Sequence, residues 1–205
     1  SLYTTQVKYP RTYHLPWSPG ATRDDRKLKD VSSWEGTEVV VTEKFDGECT
    51  SLYCDAIHSR SLSYSPHPSR TRMKSLHSQI KRDIPAGWRV CGENLTAVHS
   101  IRYTDLPHFF LVFSIWDEYN RCLSWDDTLE YTGMLGLHPV RELYRGAFNT
   151  GVIKSMEPER EGYVVRPAEN FHYRKFRDVV GKYVRENHVQ TGPGWKHEEM
   201  KLNGF

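Results

Sequence analysis

Apolar residues along the 205-residue chain come in short runs separated by turn-forming segments. The first run is Thr37-Glu38-Val39-Val40-Val41, whose β-branched residues predict a buried strand. Asp46-Gly47 ends it, and Thr50 to Ile57 reads as its partner strand. Trp88 to Cys91 predicts a third strand with Gly92-Glu93-Asn94 following it, and Phe109 to Trp116, the most apolar stretch, a fourth. Gly162-Tyr163-Val164-Val165 predicts a further strand. Two segments read as helices. Ser124 with Asp127 three residues later matches an N-terminal cap, which predicts a helix through about Leu135. Phe176, Val179, Val180, Tyr183 and Val184 recur at i, i+3, i+4, i+7 and i+8, a helical spacing.

Between these runs the polar segments predict loops. Residues 1–36, punctuated by Pro10, Pro16, Pro19 and Gly20, read as a segment wrapping the surface. Ser59 to Arg82 also reads as a loop, and residues 187–205 as a polar tail. Strands and helices mix without βαβ alternation, so the expected fold is a largely antiparallel α+β domain over residues 37–186.

Composition narrows the function less than the pattern does. The chain carries 28 Lys+Arg against 26 Asp+Glu, and a net charge of +2 neither requires nor excludes a nucleic-acid partner. The most basic stretch holds Arg60, Arg70, Arg72, Lys74, Lys81 and Arg82. Cys49, Cys54, Cys91 and Cys122 include no C-x-x-C pair, which points to free thiols in a reducing cytoplasm. No apolar run reaches the roughly 20 residues that span a bilayer, so no membrane partner is expected. The first residues are polar and Pro-broken, unlike a signal peptide.

The chemistry centres on Lys44-Phe45-Asp46-Gly47, at the end of the first strand and just after Glu43. A lysine amine is a nucleophile only when neutral, and its reference pKa near 10.4 has to be lowered by desolvation or neighbouring cations. Alone, K-x-D-G is a weak signal, since a surface strand and an Asp-Gly turn produce it as well. Downstream stand Arg60, then Gly92-Glu93-Asn94, Phe113 in the apolar strand, and Glu161-Gly162-Tyr163-Val164-Val165-Arg166. Glu93 lies 49 residues beyond Lys44, and Phe113 lies 20 beyond Glu93.

This ordered set resembles the covalent nucleotidyltransferase superfamily of ATP-dependent DNA ligases, RNA ligases and mRNA capping enzymes. The resemblance covers about residues 38–185. It implies an ATP-grasp-like ligase fold and a set of roles. Lys44 would attack the α-phosphorus of ATP and become a lysyl-AMP. Glu43 would meet the adenine edge through side chain or backbone, and Asp46 and Gly47 would border the nucleotide. Arg60 would steer the ribose, a phosphate or the RNA end. Glu93 would accept hydrogen bonds from ribose hydroxyls, and Phe113 would stack on adenine. Glu161 would position Mg²⁺, with Mn²⁺ as a substitute, and Arg166 would bind a phosphate. Phe113 as plain core, and Arg60 and Arg166 as solvated strand ends, are the alternatives. The final family lysine falls on Lys182, 21 residues after Glu161, where Gly181 would end the helix and let Lys182 enter a strand facing the triphosphate, with Lys175 as the alternative.

Within the superfamily, DNA ligases and capping enzymes continue into an OB-fold domain, for which the roughly 20 residues after Arg185 leave no room. Glu43 beside Lys44, together with Gly92-Glu93-Asn94-Leu95, is more similar to small RNA ligases of the RNA ligase 2 type, including those of bacteriophages. The resemblance therefore implies ATP-dependent joining of RNA ends, which include nicked duplex and broken tRNA, in a bacterial or phage-infected cytoplasm. A minimal DNA ligase and a non-catalytic nucleic-acid binding module are the other readings.

Overall fold

The computed structural model describes residues 5–186 and 200–205. In chain order the elements are β1 (Tyr13–His14), β2 (Glu38–Lys44), β3 (Glu48–Leu52), β4 (Ile57–Ser59), α1 (Pro68–Ile80), β5 (Arg89–Asn94), β6 (Phe110–Trp116) and β7 (Arg121–Cys122). They continue with α2 (Trp125–Met134), β8 (His138–Pro139), β9 (Glu142–Ala147), α3 (Thr150–Lys154), β10 (Gly162–Pro167), β11 (Phe171–His172), α4 (Phe176–Val179) and β12 (Gly181–Val184). One sheet has the order β1-β12-β10-β2-β9; the other runs β11-β7-β6-β5-β3-β4, with β8 added parallel to β6. Apart from that pair and β1 with β12, the strand pairings among the described residues are antiparallel, as expected of an α+β domain.

The two sheets face each other, and β2 shows why. Val39 and Val41 pack with Tyr163, Val165, Trp34 and Phe148 on the outer face. Val40 points the other way, toward Phe45, Leu95, Leu111 and Trp125. A strand covered on both faces is apolar without alternation, as its sequence is. In the second sheet Leu52, Val90, Val112 and Ile115 pack outward against Met73 and Ile80 of α1. Cys91, Trp116 and, partly exposed, Phe113 turn inward. The inner faces thus form a cleft whose floor comes from β2, β10 and β12 and whose roof comes from β3, β5 and β6.

Several segments differ from the sequence reading. Residues 59–82 contain a 13-residue helix, α1, not a loop. It starts conventionally, with Pro68 in its first turn and the His67 side chain accepting the Ser69 N–H. Its buried face, however, includes Arg70 and His77. Arg70 is 1% exposed because its guanidinium forks onto Glu48 at 2.8 and 2.7 Å, and His77 Nε2 lies 2.6 Å from the Tyr53 carbonyl. An inward face that is half polar gives no hydrophobic period. Residues 50–57 do not partner β2, which pairs with β9 and β10; they divide into the hairpin β3–β4 of the other sheet, and Gly92-Glu93-Asn94 is part of β5 and does not follow it. The helical spacing from Phe176 yields only the one-turn α4, and at Gly181 the chain turns into β12, which puts Lys182 in a strand paired with β10, as the sequence allowed. The expected tail lies outside the described residues over 187–199; beyond it, Leu202 bridges Ala97, and buried Asn203 bonds the carbonyls of Leu95 and Ala97 and the N–H of Tyr103.

Candidate active site

Lys44 ends β2 on the cleft face, opposite Gly162 of β10. Gly162 must be glycine, since a Cβ there would lie 1.8 Å from the Tyr183 carbonyl oxygen. The same register sets Val164 between Thr42 and Lys182, so the cleft floor carries Lys44, Val164 and Lys182 side by side.

Glu161, one residue before β10 and 2% exposed, receives the Lys44 ammonium at 2.5 Å. From the roof, Glu93 Oε1 accepts the Gly47 N–H at 3.0 Å, which ties β5 to the turn after the lysine. That turn also needs its glycine: a Cβ on Gly47 would sit 2.4 Å from the Asn94 carbonyl oxygen. Asp46 anchors the neighbouring loop, with Oδ2 accepting Ser100 N–H, Ser100 Oγ–H and Ile101 N–H at 2.7, 2.5 and 3.1 Å. Its Oδ2 is thereby committed to the scaffold at the border of the site.

Electrostatics differ from the expected lowering at Lys44. Burial pushes the amine down, but the charges of Glu161, Glu93 and Asp46 outweigh that and hold its pKa above the ordinary lysine value. The resting side chain is an ammonium. Glu93 moves the other way from a usual carboxylate: burial, with a contribution from Glu161, lifts it to about 8 against the pull of Lys44. Because the folded chain then binds more protons than the unfolded one, this group's contribution to stability is present below about pH 4.5 and fades as pH rises toward 8. Glu93→Gln is expected to flatten the fall in stability between those limits. Denaturation midpoints of both proteins across that range check it, and parallel curves would count against it.

Lys182 is pushed down to about 8, by burial first and by the Lys44 charge second. Arg60 is exposed just beyond β4, and its charge is felt at both Cys49 and Lys182. Lys175 is exposed at the end of a short 3-10 turn before α4, away from this row.

Phe113 reaches the cleft through a β-bulge. Gly92 pairs with Val112 and Cys91 with Ser114, leaving Phe113 as the extra residue, and it alone in β6 is not fully buried. Tyr9 meets its ring edge-on at 5.1 Å.

Two of the expected residues have their side chains engaged elsewhere. Glu43, next to Lys44 on the strand, points to the opposite face. There Arg160 binds its carboxylate at 2.7 and 2.9 Å, Arg141 stands at 3.8 Å, and the Glu43 N–H is donated to the Arg141 carbonyl. Glu43 lines a cavity of about 260 Å³ behind the sheet with Met156, Pro158 and Glu159. Arg166 is 4% exposed, with its guanidinium spent on the carbonyls of Leu123 and Pro167. Its Nη1 also lies 3.6 Å from Cys122 Sγ, so the side chain holds β10 to the segment before α2. Arg166→Ala is expected to cost on the order of 3 kcal/mol of folding stability, with the KM for ATP of the folded protein unchanged. A denaturant titration together with that KM decides the point.

Sequence reading missed Arg160, although it directly precedes Glu161, and it missed His14, Asp25 and Tyr103. Tyr103 fixes the nucleophile's turn by accepting the Asp46 N–H at 2.8 Å. None of these lies in a periodic pattern, and only the adjacency of Arg160 was a usable signal.

The family model for RNA ligase matches residues 37–184. The chain belongs to the RNA ligase family. Among solved structures, this family member is similar to an archaeal ATP-dependent RNA ligase, with a TM-score of 0.59, 16% identity, and coverage of 87% of this chain and 48% of that one. It is also similar to a Naegleria gruberi RNA ligase variant with ATP and Mn, with a TM-score of 0.52, 16% identity, and coverage of 75% and 51%. The chain thus spans about half the length of these structures, and at such identity the likeness shows the fold. A comparison with curated protein sequences gave no match.

Proposed function

We propose that this chain carries the nucleotidyl-transfer centre of an ATP-dependent RNA ligase, which joins 5′-phosphate and 3′-hydroxyl RNA ends. The observation that carries the reading is the Lys44–Glu161 contact, set in a cleft between two sheets with Glu93 clamping the turn after the lysine. In the first step the Lys44 ammonium leaves Glu161 and gives a proton to solvent, and the neutral amine attacks the α-phosphorus. The N–P bond forms, the bond from Pα to the bridging oxygen breaks, and pyrophosphate leaves with the electron pair. A 5′-phosphate oxygen of RNA then takes the AMP from Lys44, and a 3′-hydroxyl displaces AMP from the activated end.

Among the described residues no group of three or more His, Cys, Asp or Glu is arranged to hold a metal ion alone. Mg²⁺ binds through one or two carboxylates and completes its shell with substrate phosphates and water. Glu161 would be the carboxylate that holds it, with Mn²⁺ as a substitute. When bound, the cation supplies positive charge to the phosphate oxygens during transfer. The Naegleria gruberi structure with ATP and Mn supports a nucleotide and a divalent ion as ligands of this fold. Val164 and Phe113 flank the cleft from floor and roof, which suits them to sandwich a flat base.

The test is incubation with ATP, Mg²⁺ and 5′-phosphorylated RNA ends, beside the same ends in DNA. Ligated RNA with little or no ligated DNA is the expected product. Faster sealing of nicked DNA would favour the DNA ligase reading, and no covalent AMP at all would leave the binding module.

A further inference from the structure

Residues 13–27 precede the region matched by the family, yet they build one wall of the cleft. β1 runs parallel to β12 with His14 opposite Lys182, which places both side chains on the same face. The segment is fixed from both sides: His14 N–H bonds the Arg26 carbonyl at 2.8 Å, the His14 carbonyl accepts Leu28 N–H at 2.7 Å, and Leu15 N–H bonds the Lys182 carbonyl at 2.7 Å.

The His14 ring is 1% exposed. Its Nδ1 lies 2.7 Å from Ser18 Oγ, and that oxygen already accepts the Val184 N–H at 2.9 Å. With the Ser18 hydroxyl proton given to Nδ1, the ring proton sits on Nε2. Nε2 has no hydrogen-bond partner. The Asp25 carboxylate stands 3.5 Å from it and is turned to the N–H and hydroxyl of Thr22 at 2.7 and 3.0 Å. Lys27 stands opposite His14 in a parallel bridge, and the ring feels the charges of Lys182, Lys44 and Lys27 against that of Asp25. Burial and the Lys182 charge hold the ring's pKa down to about 4, so at neutral pH it is an uncharged donor. A buried, unsatisfied N–H among three ammonium groups is a setting that an anion completes.

We propose that His14 Nε2, Lys27 and Lys182 form a polyphosphate subsite for the β- and γ-phosphates of ATP and for departing pyrophosphate. The assignment of these phosphates rests on the reading of Lys44 as nucleophile. When the bond from Pα to its bridging oxygen breaks, negative charge develops on pyrophosphate, and donors already in place stabilise it. The N-terminal segment therefore belongs to the catalytic unit.

Inorganic pyrophosphate titrated calorimetrically into the full chain, without ATP, tests the subsite apart from the chemistry. Wild-type protein should bind it, and His14→Ala and Lys27→Ala should each weaken binding roughly 5- to 10-fold. His14→Gln, which keeps an N–H donor, should lose less. Lys27 is exposed, so its variant reports binding even if His14→Ala fails to fold. Equal affinities in wild type, Lys27→Ala and His14→Gln, or no binding by wild type, would overturn the subsite. Pyrophosphate binding that depends on these residues in a protein that never takes up AMP would uphold the subsite and sink the ligase reading instead.

Discussion

Lys44→Ala and Lys44→Arg are both expected to take up no covalent AMP, a loss of more than about 10³-fold. The arginine variant is the more informative. Removing the amine leaves the Glu161 carboxylate, 2% exposed, without the ammonium it now contacts at 2.5 Å, which costs stability as well as chemistry. A guanidinium keeps that charge pairing, but it stays protonated and cannot attack phosphorus. Lys44→Arg should therefore melt close to wild type while being as inactive as Lys44→Ala. Covalent AMP on Lys44→Arg would assign the nucleophile elsewhere.

Lys182→Ala is expected to lower lysyl-AMP formation at least about 100-fold, whereas Lys175→Ala should stay within about twofold. The difference follows from position. Lys182 lies in β12 between β1 and β10, on the same face as Lys44, and its charge is partly stripped of water. A desolvated cation interacts strongly with an arriving polyphosphate, while the solvated ammonium of Lys175 is screened. Initial rates of AMP transfer for the two variants decide between the lysines. If Lys175 proved essential and Lys182 dispensable, the floor of the cleft would not be the phosphate path.

The residues that were legible in the sequence are those whose chemistry is local. Lys44 announces itself by its strand, its Asp-Gly turn and the ordered acids downstream. Val39–Val41 and Phe110–Trp116 read as strands because both are covered on two sides. The α1 helix was not legible, because Arg70 and His77 occupy its inward face and are satisfied by Glu48 and the Tyr53 carbonyl. In the 176–184 segment the apolar residues fall at helical spacing, yet Gly181 marks where the helix gives way to a strand pairing with β10. Arg166 and Glu43 show a further limit. A base after a strand and an acid before a nucleophile look like ligand contacts, yet which face each occupies and which carbonyls or guanidiniums consume it are tertiary facts. His14 is the converse, a residue with no motif that register alone brings beside Lys182.

The central claim is that Lys44 becomes covalently bound to AMP, and mapping the adduct tests it most directly. Wild-type chain incubated with ATP and Mg²⁺ should gain the mass of one AMP. After proteolysis under conditions that preserve the phosphoramidate, that mass should lie on the peptide containing Lys44, and added pyrophosphate should remove it. AMP on any other lysine, or no adduct under conditions where the chain still binds ATP, would contradict the account.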